Sequence, residues 1–425
     1  MPRGFYIIMG AQFFSSLADN ALLVAAIALL VQLSAPDWLP PYLKFCFVIS
    51  YVVLAPYVGA FADRLPKGQV MFISNAIKIL GCLMMLFGVD PLVAYAVVGL
   101  GAAAYSPAKY GILTEYLPHS RLVAANGWIE GLTVGSIILG TVLGGLLIAP
   151  NVSGLLLTVD VPGIETGVDT PAEIAISIVT LVYLIAALFN LRIPLTGVPM
   201  KALPSNPLAT LKDFTQCCFR LWTDKLGQIS LGVTTLFWGA GATLQFIVIA
   251  WADAALGYDL SKASILQGVV AAGIAAGAVI ASLRVSLDRA VTVIPLGTAM
   301  GLIVIAMVFV RDVAIAIPLL VGIGALAGFF VVPMNALLQH RGHHLMGAGR
   351  SIAVQNFNEN ASILLLIFGY STLLRHGVSI YAAIVAFGLF VAGTMVLVGA
   401  WHRRNLRLNG EEVQRLLSVA RSSHH

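Results

Sequence analysis

Five ionisable residues, Asp19, Lys78, Lys109, Glu130 and Glu359, stand inside long apolar stretches of this 425-residue chain. At the centre of a bilayer each would cost about 3 kcal/mol, and five together about 15 kcal/mol, as much as a whole domain's stability. Such groups must be paired, face water, or both. Their neighbours are polar as well. Gln12, Ser15, Ser16 and Asp19 recur at i, i+3, i+4 and i+7, so they share one helix face, which looks into a cavity or a partner helix. Asn75 lies three residues before Lys78, Asn126 four before Glu130, and Gln355, Asn356, Asn358 and Asn360 surround Glu359. Lys109 is a point charge suited to a phosphate, and Asp19 or Glu130 to an ammonium. Pro107, two residues before Lys109, frees backbone carbonyls, a device common near substrate sites. Four of the five charges fall in the first half of the chain. The second half offers Phe237, Trp238, Phe246, Phe329 and Phe330, which are either a tail pocket or ordinary core. A ligand with a charged head and an apolar tail fits that division. The alternative is that Lys78 with Glu130, and Asp19 with Lys109, are fixed structural pairs.

The elements that position these residues are membrane spans. The chain is 59% hydrophobic and 10% charged, with mean hydropathy +0.94. At about 20 residues per span it holds roughly twelve, with no room for a large soluble domain. Spans are expected near 5–33, 42–62, 69–88, 91–115, 121–149 and 173–191, then 227–254, 261–285, 291–310, 313–339, 347–374 and 378–401. This divides the chain into an amino-terminal six-helix bundle, 1–191, a cytoplasmic linker, 192–226, a carboxy-terminal six-helix bundle, 227–402, and a cytoplasmic tail, 403–425. In the linker, Leu208, Leu211, Phe214, Cys217, Cys218 and Leu221 recur at helical spacing opposite Lys212, Asp213, Gln216 and Arg220. That pattern describes a helix on the membrane surface or a packing strap between the halves. The net charge of +5 is one-sided: 18 Lys and Arg fall on the side of both termini, and only Lys44, Lys262, Arg311 and Arg375 on the other. By the positive-inside rule both termini are cytoplasmic, and the acidic loop 151–170 faces outward. The charge therefore reports topology, and nucleic acid is not an expected partner.

Several chemistries are excluded. The chain contains no G-x-S-x-G, no phosphate-binding Walker loop and no H-x-x-x-x-D acyltransferase motif, so it is not expected to be an enzyme. Cys46, Cys82, Cys217 and Cys218 have no metal spacing, and His340, His343 and His344 read as a solvated loop. No metal and no cofactor is expected.

The halves echo one another. Ala104-Tyr105-Ser106-Pro107 and Phe330-Val331-Val332-Pro333 occupy equivalent places, followed by Asn126/Glu130 and Asn356/Glu359, as in a duplicated six-helix unit. Between spans two and three, Gly59-Ala60-Phe61-Ala62-Asp63-Arg64-Leu65-Pro66-Lys67-Gly68 resembles the G-x-x-x-D-R signature of the major facilitator superfamily. Gly59 allows close helix approach, Asp63 suits a helix end, and Arg64 and Lys67 anchor the turn. More specific strings resemble one branch, the bacterial lysophospholipid transporter family. They are Gln12-Phe13-Phe14-Ser15-Ser16-Leu17-Ala18-Asp19-Asn20-Ala21, Ala103-Ala104-Tyr105-Ser106-Pro107-Ala108-Lys109-Tyr110-Gly111, Leu236-Phe237-Trp238-Gly239-Ala240-Gly241, Gly328-Phe329-Phe330-Val331-Val332-Pro333 and Ala353-Val354-Gln355-Asn356.

The resemblance implies an all-α membrane protein of the major facilitator type, twelve helices in two six-helix bundles. It implies a flippase moving lysophosphatidylethanolamine and lysophosphatidylglycerol from the outer to the inner leaflet of the Gram-negative inner membrane by alternating access. An acyl-ACP-dependent lysophospholipid acyltransferase would then re-acylate them, and the transporter would work as a monomer. Substrate-binding residues are then Asp19, Asn20, Tyr105, Lys109, Asn126, Glu130, Trp238, Gln245, Gln355, Asn356 and Glu359, with Asp63, Arg64, Lys67 and Lys78 in gating. One position departs from the family, where an Arg in span seven can pair with the span-one Asp. Here it is Gln245, which can hydrogen-bond Asp19 but not neutralise it. The alternative within the same fold is a multidrug or organic-ion secondary antiporter, with Asp19, Glu130 and Glu359 as proton carriers.

Overall fold

The computed structural model describes residues 3–117, 122–158, 167–197, 206–346 and 348–422. The acidic Asp160 and Glu165, and Arg121 and Lys201, lie outside the described residues. Apolar runs of span length form helices throughout, because a backbone in hydrocarbon must satisfy its hydrogen bonds internally. In chain order they are α1 (Arg3–Gln32), α2 (Pro40–Val53), α3 (Ala55–Arg64), α4 (Lys67–Leu86), α5 (Pro91–Tyr116), α6 (Leu122–Ile148), α7 (Pro150–Leu157) and α8 (Pro171–Leu191). Then follow α9 (Pro207–Thr223), α10 (Gly227–Leu256), α11 (Leu260–Arg284), α12 (Ile294–Ile305), α13 (Val313–Met346), α14 (Ala348–Arg375), α15 (Ile380–Leu408) and α16 (Gly410–Ser422). Helix starts are written plainly in the sequence: α2, α5, α7, α8 and α9 each begin with Pro, whose missing N–H costs nothing there. Asp90 and Asn206 cap α5 and α9, and Thr170 with Glu173 form a capping box on α8.

Among the described residues nine helices are long and apolar enough to cross a membrane, or eleven if two bent pairs each count as one span. The expected second span breaks at Leu54, where α2 and α3 meet at 70° just before Pro56; α6 and α7 meet at 67° just before Pro150. α14 is not among them, because Gln355, Asn356, Asn358, Glu359 and Asn360 dilute its apolar residues. α13 runs to Met346, so the His340 region is the end of a helix and not a loop.

The chain forms two compact units: residues 1–205 with 258–268, and 206–257 with 269–425. In the first, α1 packs on α6 and α8, α4 on α5 and α8, and α2 on α5. In the second, α10 packs on α13, α14 and α15, and α12 on α15 and α13. There α11 and α13 approach through glycines on both sides. A Cβ at Gly273 would stand 2.5 Å from the Val321 carbonyl oxygen, and one at Gly277, Gly324 or Gly328 would strike the backbone of Ala325, Val270 or Ile274. Small residues at this spacing let backbones touch.

The linker helix α9 belongs to the second unit. Its Cys217 and Leu221 are buried with Leu231, Leu338 and Val354, and Trp222 stacks on Trp401 and donates from Nε1 to Asn358 Oδ1 at 3.0 Å. It is a strap on that unit, with Leu208 and Phe219 left exposed on a neighbouring stripe. Burial pushes both its thiols up, Cys218 to about 11. At pH 7 only about one Cys218 thiol in ten thousand is then ionised. Peptide mapping after iodoacetamide treatment should find both positions almost unlabelled at pH 7, with the Cys218 rate rising about tenfold per pH unit. Rapid labelling at pH 7 would contradict the packed strap.

Candidate functional site

The deepest polar cluster lies in the first unit. Lys78, on α4, directs Nζ to Asp19 of α1 at 2.9 Å and 3.0 Å from its two carboxylate oxygens, and to Ser15 Oγ at 3.0 Å. The three protons of the ammonium are thereby used. Ser15 donates to Asn75 Oδ1 at 2.8 Å, and the Tyr183 hydroxyl of α8 donates to Asp19 Oδ1 at 2.6 Å. The rings of Tyr105 and Tyr183 flank Nζ at 5.0 Å and 5.4 Å from their centroids. These contacts tie α1, α4, α5 and α8 together at one level.

Of the ion pair, Lys78 is 1% exposed and Asp19 24%. The cation is sealed and the anion keeps one open edge. The alternative weighed from sequence put Asp19 with Lys109; the structure pairs Asp19 with Lys78 instead, within the first unit. Lys109 is half-buried on α5, its Nζ 4.6 Å from the Tyr110 ring centroid. Pro107 sits within α5 and Pro333 within α13, each helix continuing through it. Asn20 turns back along its own helix and donates to the Ser16 carbonyl at 2.8 Å. The side chains of Asn126 and Glu130, and those of Asp63 and His343, lie outside the described residues.

At the end of this unit that carries the chain's amino terminus, Lys67 donates to the Ala62 carbonyl at 2.7 Å and pairs with Glu115 at 3.3 Å. Glu115 in turn accepts from Thr196 at 2.9 Å. Lys67 thus joins the end of α3 to the end of α5, while Arg64 is exposed. Neither Glu115 nor Thr196 stood out in the sequence, since both lie at the edges of apolar runs.

In the second unit Glu359 is 7% exposed and accepts from Gln355 Nε2 at 2.8 Å; the same amide donates to Asn335 Oδ1 of α13 at 2.6 Å. Asn358 and Asn360 donate to carbonyls of their own helix, and Asn356, two residues before Asn358, is half-buried. Gln245 is half-buried on α10, and Trp238, 40% exposed, packs edge-on to Phe237, which meets Phe330. A cavity of about 540 Å³, lined by Gly277, Ile280, Leu296, Ile303, Pro318 and Phe329 among others, opens between α11, α12 and α13, and its lining is apolar. Sequence reasoning passed over a second buried ion pair. Arg341 of α13 grips Asp224 with Nη2 at 2.6 Å and Nε at 3.1 Å, and Asp224 also caps α10 by accepting from Leu226 N and Gly227 N.

Polar machinery sealed inside hydrophobic helices, in two helical units, defines a multi-pass membrane carrier. The chain belongs to the Major Facilitator Superfamily, whose family model matches residues 8–365, and within it to the family of the proteins named Lysophospholipid transporter LplT. It is 41% identical to the one from Yersinia enterocolitica over 383 residues, covering 90% of each chain, and 40% identical to that of Yersinia pestis strain Pestoides F, covering 90% and 89%. A bacterial homologue of the human lysosomal transporter Spinster shares the fold, with a TM-score of 0.68 at 14% identity over 97% of this chain and 98% of that one. The resemblance read from the first-span and fourth-span strings is borne out.

Proposed function

We propose that this protein carries lysophospholipids, those with ethanolamine and glycerol head groups, from the outer to the inner leaflet of a bacterial inner membrane by alternating access. Both termini lie in the cytoplasm, the protein acts as a monomer, and its product feeds an acyl-ACP-dependent acyltransferase. The observation that carries this reading is the open edge of Asp19, paired with the sealed Lys78 inside a bundle of apolar helices. A head-group ammonium can approach that edge, and Lys109 on α5 takes the phosphate. The names of the 40–41% identical relatives agree with that ligand class.

The test is uptake of lysophosphatidylethanolamine by vesicles containing the purified protein, beside a lipophilic cation. Saturable lysolipid uptake is expected, and Lys109→Ala should lower it at least about tenfold, the worth of one charge-assisted contact to phosphate. Uptake of the cation alone, or an unaffected Lys109→Ala variant, would overturn the reading.

A further inference from the structure

Three polar atoms near Ser15 are sealed from solvent without a hydrogen bond of good geometry: Gln12 Oε1, Asn75 Nδ2 and the Tyr105 hydroxyl, which has the Ser15 hydroxyl beside it. Their residues are 4%, 0% and 4% exposed. They come from three helices. Gln12 lies one turn before Ser15 on the same face of α1, Asn75 of α4 already takes the Ser15 proton on Oδ1, and Tyr105 of α5 lays its ring beside the Lys78 ammonium that touches Ser15. Each orphan carries the cost of an unmet buried polar group, which Leu or Phe at the same places would not. Packing does not account for three in one spot.

Together they present one acceptor in Gln12, one donor in Asn75 and, in Tyr105, a hydroxyl that can do either. That set matches an alcohol, which donates one hydrogen bond and accepts up to two. The chemical difference between a lysophospholipid and the diacyl lipids around it is one such group, the free glycerol hydroxyl. We infer that Gln12, Asn75 and Tyr105 form a subsite for the free glycerol hydroxyl of the transported lipid, about one to two helical turns from the Asp19 edge that receives its ammonium. This rests on the lysophospholipid reading above. An esterified glycerol oxygen has no proton to give to Gln12, so the subsite favours lipids with one chain by leaving buried polar atoms unmet when a two-chain lipid enters. Asp19, the open edge of the network, is the side from which the group arrives.

The experiment compares uptake of lysophosphatidylethanolamine with that of its 2-deoxy analogue, in which hydrogen replaces the glycerol hydroxyl. Wild type, Tyr105→Phe and Gln12→Leu are reconstituted, with thermal unfolding measured for each. The wild type should show a half-saturating concentration about tenfold or more higher for the analogue. Tyr105→Phe should raise the value for the natural lipid similarly and leave that for the analogue unchanged, with unaltered unfolding; Gln12→Leu should repeat the pattern. Equal values for both lipids in the wild type would overturn the subsite. Variants that weaken both lipids alike would overturn it too, and would point to ordered water alone. No uptake of either lipid by the wild type would overturn the transport reading and the subsite with it, so the two failures are distinguishable.

Discussion

Lys78→Met is expected to destabilise the protein by about 3–5 kcal/mol, because it leaves Asp19 charged in a helical bundle with the Tyr183 hydroxyl as its remaining partner in the cluster. In detergent this should lower the unfolding midpoint by about 10 °C. The decisive comparison is the double variant Lys78→Met with Asp19→Asn. Removing both charges removes the desolvation penalty, and Asn can still accept from Tyr183, so most of the lost stability should return. Transport should not, since an amide cannot hold an ammonium as a carboxylate does. Recovery of both stability and lysophosphatidylethanolamine uptake would mean that the pair is only a staple. An unshifted midpoint in Lys78→Met would mean that the ion pair is not formed.

Arg341→Met should cost a similar 3–5 kcal/mol with a different signature. Arg341 and Asp224 are 7% and 8% exposed, so the orphaned carboxylate has little water to turn to. It keeps its hydrogen bonds from Leu226 N and Gly227 N, which hold the start of α10. Asp224→Asn retains that cap and loses the charge pairing. A double-mutant cycle between the two changes should give a coupling of about 1–3 kcal/mol, whereas residues that only happen to be close would give values near zero. The pair is remote in sequence from the head-group cluster, so the protein that does fold should keep its half-saturating lipid concentration. Fewer molecules in the membrane, each with normal affinity, is the expected result; a raised half-saturating concentration would place Arg341 in substrate handling.

The contrast between these two pairs explains what could be read in advance. Asp19 and Lys78 stand out because charges in apolar runs are costly, and that cost is visible residue by residue. Which charge meets which depends on how helices neighbour one another: α1 packs on α8, α8 on α4, and that arrangement brings Lys78 rather than Lys109 to Asp19. Tyr183 carried no signal, because a single Tyr in an apolar run reads equally as core or membrane border. Asp224 and Arg341, 117 positions apart at the ends of apolar runs, look like ordinary solvated charges until the fold buries them. The bend at Leu54 had a local cause in Pro56, but a uniformly apolar stretch hid it. The strap α9 was legible as amphipathic; that its apolar side would be covered by the second unit was not, because an apolar helix face suits lipid and protein equally.

The glycine contact between α11 and α13 has a consequence for how substitutions combine. Gly273, Gly277, Gly324 and Gly328 all meet opposing backbone, so none has a side chain that could move aside to admit a methyl group. A first alanine must therefore push the two helices apart along their common length. A second, at any of the other three positions, finds the gap already open. The four positions behave as a single locus: two alanines should cost much less than twice one, and the destabilisation should saturate where that of scattered core changes accumulates.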